Sequence, residues 1–415
     1  MSFLSGFSPI RRALGNPSYG IYTFGSAFSL IGTWMQRVAV GWLAWELTES
    51  GAWLGILAFA DLFPTVLIGP LAGALADRRN RLTVVRLSQV LGCLQAVTLF
   101  ALTAAGAITI EILLALTLFL GVVVAVNQPA RLALIPHLVP QEDLPAAVAI
   151  NSIIFNAARL LGPAAAGALI VTSGVAGAFA ANAITFLIFI VALGRVRATE
   201  TPRRSGQSRA PLFGDVASGF RYAAGHPGIA PALLLLAAVC LGVRPFVELL
   251  PGFAGEVFRA GAPGLALMTS TVGLGAVLGG LWLARRPGRD GLTGVLLWSA
   301  FLLAAAILVF AASDSLWLAL PALLVTGICM VAQGVGTQTL LQLAVDPAMR
   351  GRVMSLYGLI LRGGPALGAL AMGTASEQVG LAWPLAVGAL LTLLVWALLW
   401  HRRRGLAAGL EGEAG

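Results

Sequence analysis

Gly73-Ala74-Leu75-Ala76-Asp77-Arg78-Arg79-Asn80-Arg81-Leu82 is the stretch that decides how the rest of the chain is read. Long apolar segments flank it, roughly Ala52 to Ala76 and Leu82 to Ala104. Each is long enough to cross a bilayer as a helix. Between them an acid and three arginines fall within five residues. A loop that short holds no domain of its own. It is a charged hinge pinning two membrane helices on one side.

The composition agrees with that reading. Of 415 residues 58% are hydrophobic and only 10% charged, with a mean hydropathy of +0.91. Soluble domains carry about a quarter charged residues, so this is a polytopic membrane protein. The segment Met1 to Gly20 has arginines but no cleavable signal pattern, and the first span is expected to stay as a helix. All 26 basic residues are arginine. Arginine keeps its proton in proteins, so among basic side chains only histidine can carry one. Cys93, Cys240 and Cys329 fall singly in three spans, where buried packing is expected and neither a disulfide framework nor a metal site.

Twelve spans are expected, at about 19–44, 52–76, 82–104, 111–130, 147–171, 176–195, 228–250, 264–284, 291–312, 316–342, 353–375 and 382–400. Arg37, Arg159, Arg244 and Arg362 lie inside spans, and Arg259 in a loop of the outer side. The other 21 arginines share one face, while Glu46, Glu49, Glu111, Glu256, Asp314 and Glu377 fall on the opposite side. Arginine retention on the cytoplasmic side sets orientation, so both termini are expected in the cytoplasm. The net charge of +9 is thereby explained by topology and lipid headgroups, without a nucleic-acid partner. The tryptophans are expected mainly as anchors at span ends.

Hydropathy collapses between Arg197 and Pro227, where Thr199 to Gly206 reads as a solvated linker. The expected division is a six-helix bundle over 1–195, a cytoplasmic linker over 196–227, a second six-helix bundle over 228–402 and a tail over 403–415. The halves repeat at an offset near 202: Leu161-Gly162-Pro163-Ala164 corresponds to Gly363-Gly364-Pro365-Ala366. An amphipathic cytoplasmic connection precedes each, Arg131 to Pro145 and Asp346 to Arg352. Two repeated six-span halves are a transporter architecture.

The Gly73–Leu82 stretch closely resembles the loop between the second and third helices of major facilitator superfamily transporters, Gly-x-Leu-Ala-Asp-Arg-x-Gly-Arg-Arg. Asn80 replaces the second glycine and Leu82 the last basic residue. Asn tolerates a left-handed backbone better than other non-glycine residues, so the turn is expected to survive. Further runs, Asn127-Gln128-Pro129-Ala130-Arg131, Arg159-Leu160-Leu161-Gly162-Pro163, Leu249-Leu250-Pro251-Gly252 and Arg350-Gly351-Arg352-Val353, resemble the branch containing the enterobactin exporter and the macrolide efflux proteins. The resemblance covers essentially the whole chain. It implies the all-α major facilitator fold of two pseudo-symmetric six-helix bundles, and efflux driven by proton exchange. It also implies a conformational latch: Gly73 and Asp77, with Arg78 and Arg81, would lie against the start of the eleventh helix near Arg350 and Arg352. Gly162 and Pro163 resemble the Gly-Pro element of antiporters' fifth helix, although close helix packing accounts for them and for Gly364 and Pro365 equally well.

Two carboxylates lie within spans. Asp61 is about ten residues into the second span, hence ~15 Å deep, and an acid at that depth is a functional hypothesis by default. Arg37, in Trp34-Met35-Gln36-Arg37, reaches a similar depth from the same outer face. The two form either a structural ion pair, or a proton carrier whose protonation frees Arg37 for substrate. Glu248 stands four residues after Arg244, around Pro245, and reads either as a rim acid or as a second proton site. His137, His226 and His401 all fall on the cytoplasmic side, so a membrane-embedded proton carrier must be Asp61 or Glu248. The substrate cavity is expected to draw on Gln36, Arg37, Asn156, Arg159, Arg244, Gln333 and Arg362. Four in-span arginines against two acids make that cavity positive, which favours anionic or catechol-like substrates over cationic drugs.

An enzyme would need clustered catalytic groups; the sequence has no two-His helix, nucleophile elbow, phosphate loop or extramembrane domain. A non-transporting receptor would not need matched mid-span arginines in two repeated halves. The expected protein is a monomeric secondary exporter of the bacterial inner membrane, without cofactor or metal, moving a small molecule out of the cytoplasm by alternating access in exchange for protons. Its substrate is siderophore-like or otherwise anionic, the alternative being a macrolide-type pump for cationic amphiphiles.

Overall fold

The computed structural model describes the backbone of residues 8–78, 80–197, 212–286 and 291–411, and side chains over 9–69, 80–197, 218–286 and 291–411. The described residues contain helices and turns but no strand. In chain order the α-helices are α1 (Ser8–Gly15), α2 (Pro17–Thr48), α3 (Gly51–Arg78), α4 (Arg81–Ala104), α5 (Ile110–Leu134), α6 (Leu144–Arg195), α7 (Leu212–Gly225) and α8 (Ile229–Gly242). They continue as α9 (Phe246–Gly252), α10 (Gly261–Ala284), α11 (Leu292–Ala311), α12 (Leu316–Ala344), α13 (Arg350–Val379), α14 (Ala382–His401) and α15 (Arg403–Glu411).

Among the described residues ten helices are long and apolar enough to cross a membrane. One of them, α6, runs 52 residues and turns at Gly174, whose φ of 70° is open to glycine and strained for other residues. It therefore supplies two spans. The 32-residue α2 has the length of a span but dilutes its apolar character with Ser26, Ser29, Gln36, Arg37 and Glu46. Twelve spans result, in keeping with the sequence.

The helix starts follow local chemistry. Asn16 accepts from the N–H groups of Ser18 and Tyr19, with Pro17 in the first turn. Thr109 caps α5 through the Ile112 N–H. Asn80 corrects an expectation: its backbone is extended (φ −62°, ψ 116°), and its side chain accepts from the Thr83 N–H. Asn stands there as an N-cap of α4, so no left-handed turn is required.

The chain forms two compact units, neither a continuous piece of sequence. Unit 1 comprises Met1–Glu49, Ala60–Arg204 and Gly261–Ser270; unit 2 comprises Ser50–Phe59, Ser205–Ala260 and Thr271–Gly415.

In unit 1, α2 is buried along its length against α6. Glutamine and asparagine side chains cross-link the helices where no water is available. Gln36 donates to Gln95 Oε1 at 2.9 Å and accepts from Asn182 Nδ2 at 2.7 Å. Ser29 donates to Gln89 at 3.0 Å. Such bonds are a principal glue between membrane helices, because hydrophobic burial does not favour helix over lipid. On α1, Arg12 Nε donates to the buried carboxylate of Asp143 at 2.6 Å. The hydrogen bond to Asp143 and its charge hold the Arg12 guanidinium above its usual range.

In unit 2, Phe246, Phe253, Phe258 and Phe310 form an aromatic cluster with centroids 4.7–6.4 Å apart. Two segments expected as solvated linker and tail prove to be partly ordered helix. The charged run Thr199 to Gly206 lies outside the described residues. Beyond it α7 packs on α13, and Tyr222 donates to Asp346 Oδ2 at 3.1 Å. At the C-terminus α15 buries Leu406 and Leu410, and Glu411 accepts from the N–H groups of Gly291 (2.8 Å) and Thr293 (2.6 Å) at the start of α11. Partial burial works against ionisation there, but these bonds and Arg286 hold the Glu411 carboxyl below its usual range. The sequence pattern missed both helices because each is short and polar on one side.

Candidate functional site

Arg37 and Asp61 meet. Arg37 Nη2 lies 3.5 Å from Asp61 Oδ2, with the two side chains 32% and 27% exposed. Both belong to unit 1, Arg37 on α2 and Asp61 on α3. The pair is therefore neither fully exposed nor sealed within the bundle. The backbone beneath Asp61 is closely held. A Cβ on Gly121 of α5 would stand 2.7 Å from the Ala60 carbonyl oxygen and 2.9 Å from that of Asp61, so only glycine lets α5 lie so close.

An aromatic wall flanks the ion pair. The Arg37 guanidinium lies 5.7 Å from the centroid of Trp34, within the range of a cation–π contact. Trp34 meets Phe155 of α6 edge-on at 6.0 Å. What brings α6 to α2 here is Gly162, where a Cβ would fall 2.5 Å from Trp34 Cβ and 2.9 Å from the Ile31 oxygen. Trp34, within the first span, has no role of its own in the sequence. Its neighbours explain the difference: it lies one turn before Arg37 and under the Gly162 contact, a relation visible only once α6 is in place.

The other expected residues of unit 1 separate into kinds. Gln36 is 2% exposed with both ends of its amide engaged, so in this arrangement it cross-links helices rather than lining an open cavity. Asn156 turns back on its own helix and donates to the Ser152 oxygen at 2.9 Å. Arg159 is half-buried one turn before Gly162. Gly73, Asp77 and Arg78 fall in the last turns of α3, but their side chains lie outside the described residues. Arg81, expected with them in the latch, contacts the His137 ring in the turn after α5.

In unit 2 the seventh span is broken. α8 stops at Gly242 and α9 begins at Phe246, so Arg244 and Pro245 lie between helices. The expected same-face spacing of Arg244 and Glu248 presumed an uninterrupted helix, which Pro245 prevents. Instead Arg244 Nη2 donates to the Met330 oxygen of α12 at 3.1 Å, and Glu248 falls in the first turn of α9. Gln333 is fully buried one turn along α12. Tyr357 of α13 donates to the Gly334 oxygen at 3.0 Å. Arg362 is half-buried on α13. Arg350 is exposed at the first position of α13, and Arg352 reaches Met349 Sδ at 3.5 Å.

Gly364 repeats the role of Gly162. A Cβ there would lie 2.6 Å from Cys240 Cβ on α8, just as Gly162 abuts α2. Each unit thus packs its Gly-Pro helix onto its own first long span, close to an in-span arginine.

Comparison with known proteins agrees with this architecture. A sequence profile of the family described as "Transmembrane secretion effector" matches residues 4–408. The chain is 24% identical over 400 residues to the staphyloferrin A transporter of Staphylococcus aureus, covering 94% of this chain and 98% of that one. It is 22% identical over 366 residues to macrolide efflux protein A of Streptococcus pyogenes, covering 86% and 88%. Among solved structures, a bacterial homolog of the human lysosomal transporter Spinster superposes with a TM-score of 0.69 at 18% identity, covering 95% and 98%. With its long apolar helices and a family match over residues 4–408, the chain belongs to the transmembrane secretion effectors, a family of major facilitator superfamily membrane transporters rather than enzymes.

Proposed function

We propose that this transporter is a monomeric secondary exporter of the bacterial inner membrane, with both termini in the cytoplasm, that moves a small anionic molecule outward in exchange for protons. The observation that carries the proposal is the partly exposed Arg37–Asp61 pair at 3.5 Å. When Asp61 takes up a proton its charge is lost, and with it the ion pair. The Arg37 guanidinium then turns to an anionic group of the substrate. When the substrate leaves and Asp61 is ionised, the pair forms again. Substrate at Arg37 and the proton on Asp61 are thereby linked through one guanidinium, and the proposed exchange requires that the proton flux run opposite to the substrate.

The similarity to a staphyloferrin A transporter supports an anionic, siderophore-like substrate, as does the surplus of in-span arginines over in-span acids. The second reading, a pump for cationic amphiphiles, draws on the similarity to macrolide efflux protein A and on the Trp34–Phe155 aromatic wall. Substrate-dependent proton flux in proteoliposomes separates them. Flux that follows an anionic catecholate and disappears in Asp61→Asn supports exchange through the pair. Flux with a macrolide alone overturns the anionic reading, and undiminished coupling in Asp61→Asn removes Asp61 as the carrier.

A further inference from the structure

Gln333 is 0% exposed, yet neither its amide nitrogen nor its amide oxygen meets a hydrogen-bonding partner. Buried polar groups are almost always paired, and each exception calls for a reason. The Nε of Arg244 is likewise buried and unpartnered, although its Nη2 bonds to the Met330 oxygen in the same turn of α12. The surrounding chain makes space for this charge. A Cβ on Gly334 would come within 3.1 Å of Arg244 Nη2, and Tyr357 fixes the Gly334 carbonyl from the other side. Arg244 itself sits in the break between α8 and α9, and non-helical backbone at membrane depth is tolerated where it is buried in protein or lines a cavity.

The unmet groups specify a complement. Arg244 Nε offers a charged donor, so its partner is an anionic oxygen. Gln333 offers both a donor and an acceptor, so its partner must accept and donate, as a hydroxyl does and a carboxylate does not. A cation would be repelled by Arg244. A simple carboxylate would leave Gln333 Oε1 unmet.

We infer that Arg244 and Gln333 form a subsite within unit 2 for a hydroxycarboxylate group. The inference deepens the anionic-substrate reading and rests on it, but it assigns chemistry to residues remote in sequence from Arg37 and Asp61. It also explains why an unpaired amide is retained in a core: the group is held for a ligand at a cost in stability.

The test uses the full-length protein in lipid nanodiscs and isothermal titration with L-malate, which carries the hydroxyl, and succinate, which lacks it. Wild type should bind malate more tightly than succinate by about tenfold, the equivalent of one good hydrogen bond of ~1.4 kcal/mol. Gln333→Met should abolish that preference by weakening malate more than succinate, and should raise the melting temperature because an unpaired amide has been removed. Arg244→Gln should weaken both ligands. Equal binding of malate and succinate by wild type, or no binding of either, overturns the subsite. So does a Gln333→Met protein that melts lower and keeps the malate preference, because the amide is then structural. Equilibrium binding requires no proton coupling, so failure here leaves the Arg37–Asp61 exchange standing. Loss of proton flux in Asp61→Asn likewise leaves the subsite standing.

Discussion

Replacing Asp61 by asparagine keeps the size of the side chain and removes its charge, and the geometry sets the consequence. Two unit charges 3.5 Å apart attract by about 5 kcal/mol at an effective dielectric of ~20. About a third of Arg37 and a quarter of Asp61 are exposed, so that figure is discounted for screening. Fully exposed pairs give ~0.2–1 kcal/mol and breaking a buried pair costs ~3–5 kcal/mol. The pair in unit 1 belongs between them, at about 1–2 kcal/mol of coupling. A double-mutant cycle with Asp61→Asn, Arg37→Gln and the double variant isolates this quantity from lost packing. Reversible unfolding of the purified protein in mixed micelles supplies the four free energies. The single variants should each lose more than half the total, and the double variant should recover about 1–2 kcal/mol relative to their sum. A coupling within ~0.3 kcal/mol of zero would show that proximity carries no energetic link, and the proposed dependence of substrate binding at Arg37 on the protonation of Asp61 would lose its basis.

Other outcomes follow from the same geometry. Gln36→Leu leaves Gln95 Oε1 and the Asn182 amide without their bonds, and at ~1–3 kcal/mol per orphaned group it should destabilise by about 2–6 kcal/mol in the same unfolding assay. Gly162→Ala places a methyl 2.5 Å from Trp34 Cβ; overpacking of that kind costs ~1–3 kcal/mol, and the displaced indole should lower transport beyond the loss expected from stability alone. Glu411→Ala removes the two bonds at the start of α11 and should loosen α15 by about 1 kcal/mol, read as faster hydrogen exchange over 403–411. Because the folded carboxyl of Glu411 titrates below its ordinary value of 4.5, its contribution is complete above that value. It is lost as pH falls through the folded pKa. Protection of α15 that does not change between pH 6 and pH 3 would contradict this.

The spans and the repeat were legible because hydropathy in a membrane chain is a one-dimensional signal: each helix crosses once, and its length is set by the bilayer. The Arg37–Asp61 pair was legible for a related reason, since charges inside apolar spans are few and sequential helices place equal depths side by side. Three features were not. The break at Val243–Pro245 depends on α13 closing over it, where Gly368 meets Leu241 and Pro245, and Pro245 alone does not choose between a kink and a break. The Trp34–Phe155 wall joins residues more than a hundred positions apart through a single glycine contact. Gln36 and Gln333 look alike in sequence, two polar residues in apolar spans, yet one is saturated by Gln95 and Asn182 and the other meets nothing. Residue type and depth cannot tell them apart; only the neighbours can.

That contrast bears on how a transporter divides its polar residues. Interhelical amide bonds stabilise a bundle only when donors and acceptors are matched, as around Gln36. A half-matched group in the same environment costs ~1–3 kcal/mol, so it persists only where another species completes it for part of the cycle. By this criterion Gln36 is scaffold, whereas Gln333 and Asp61 are the groups that the proposed cycle uses. The glycines sort in the same way. Gly162 and Gly364 bring the Gly-Pro helices against α2 and α8, each beside an arginine that a wider separation would leave facing lipid or water. Close packing and substrate chemistry are then one requirement, because the charge is tolerable in the membrane only while the helix next to it stays close. A variant that widens either contact should therefore lose substrate selectivity before it loses its fold, and Gly364→Ala tested for malate preference beside Gly162→Ala tested for proton coupling would show whether each unit obeys that order.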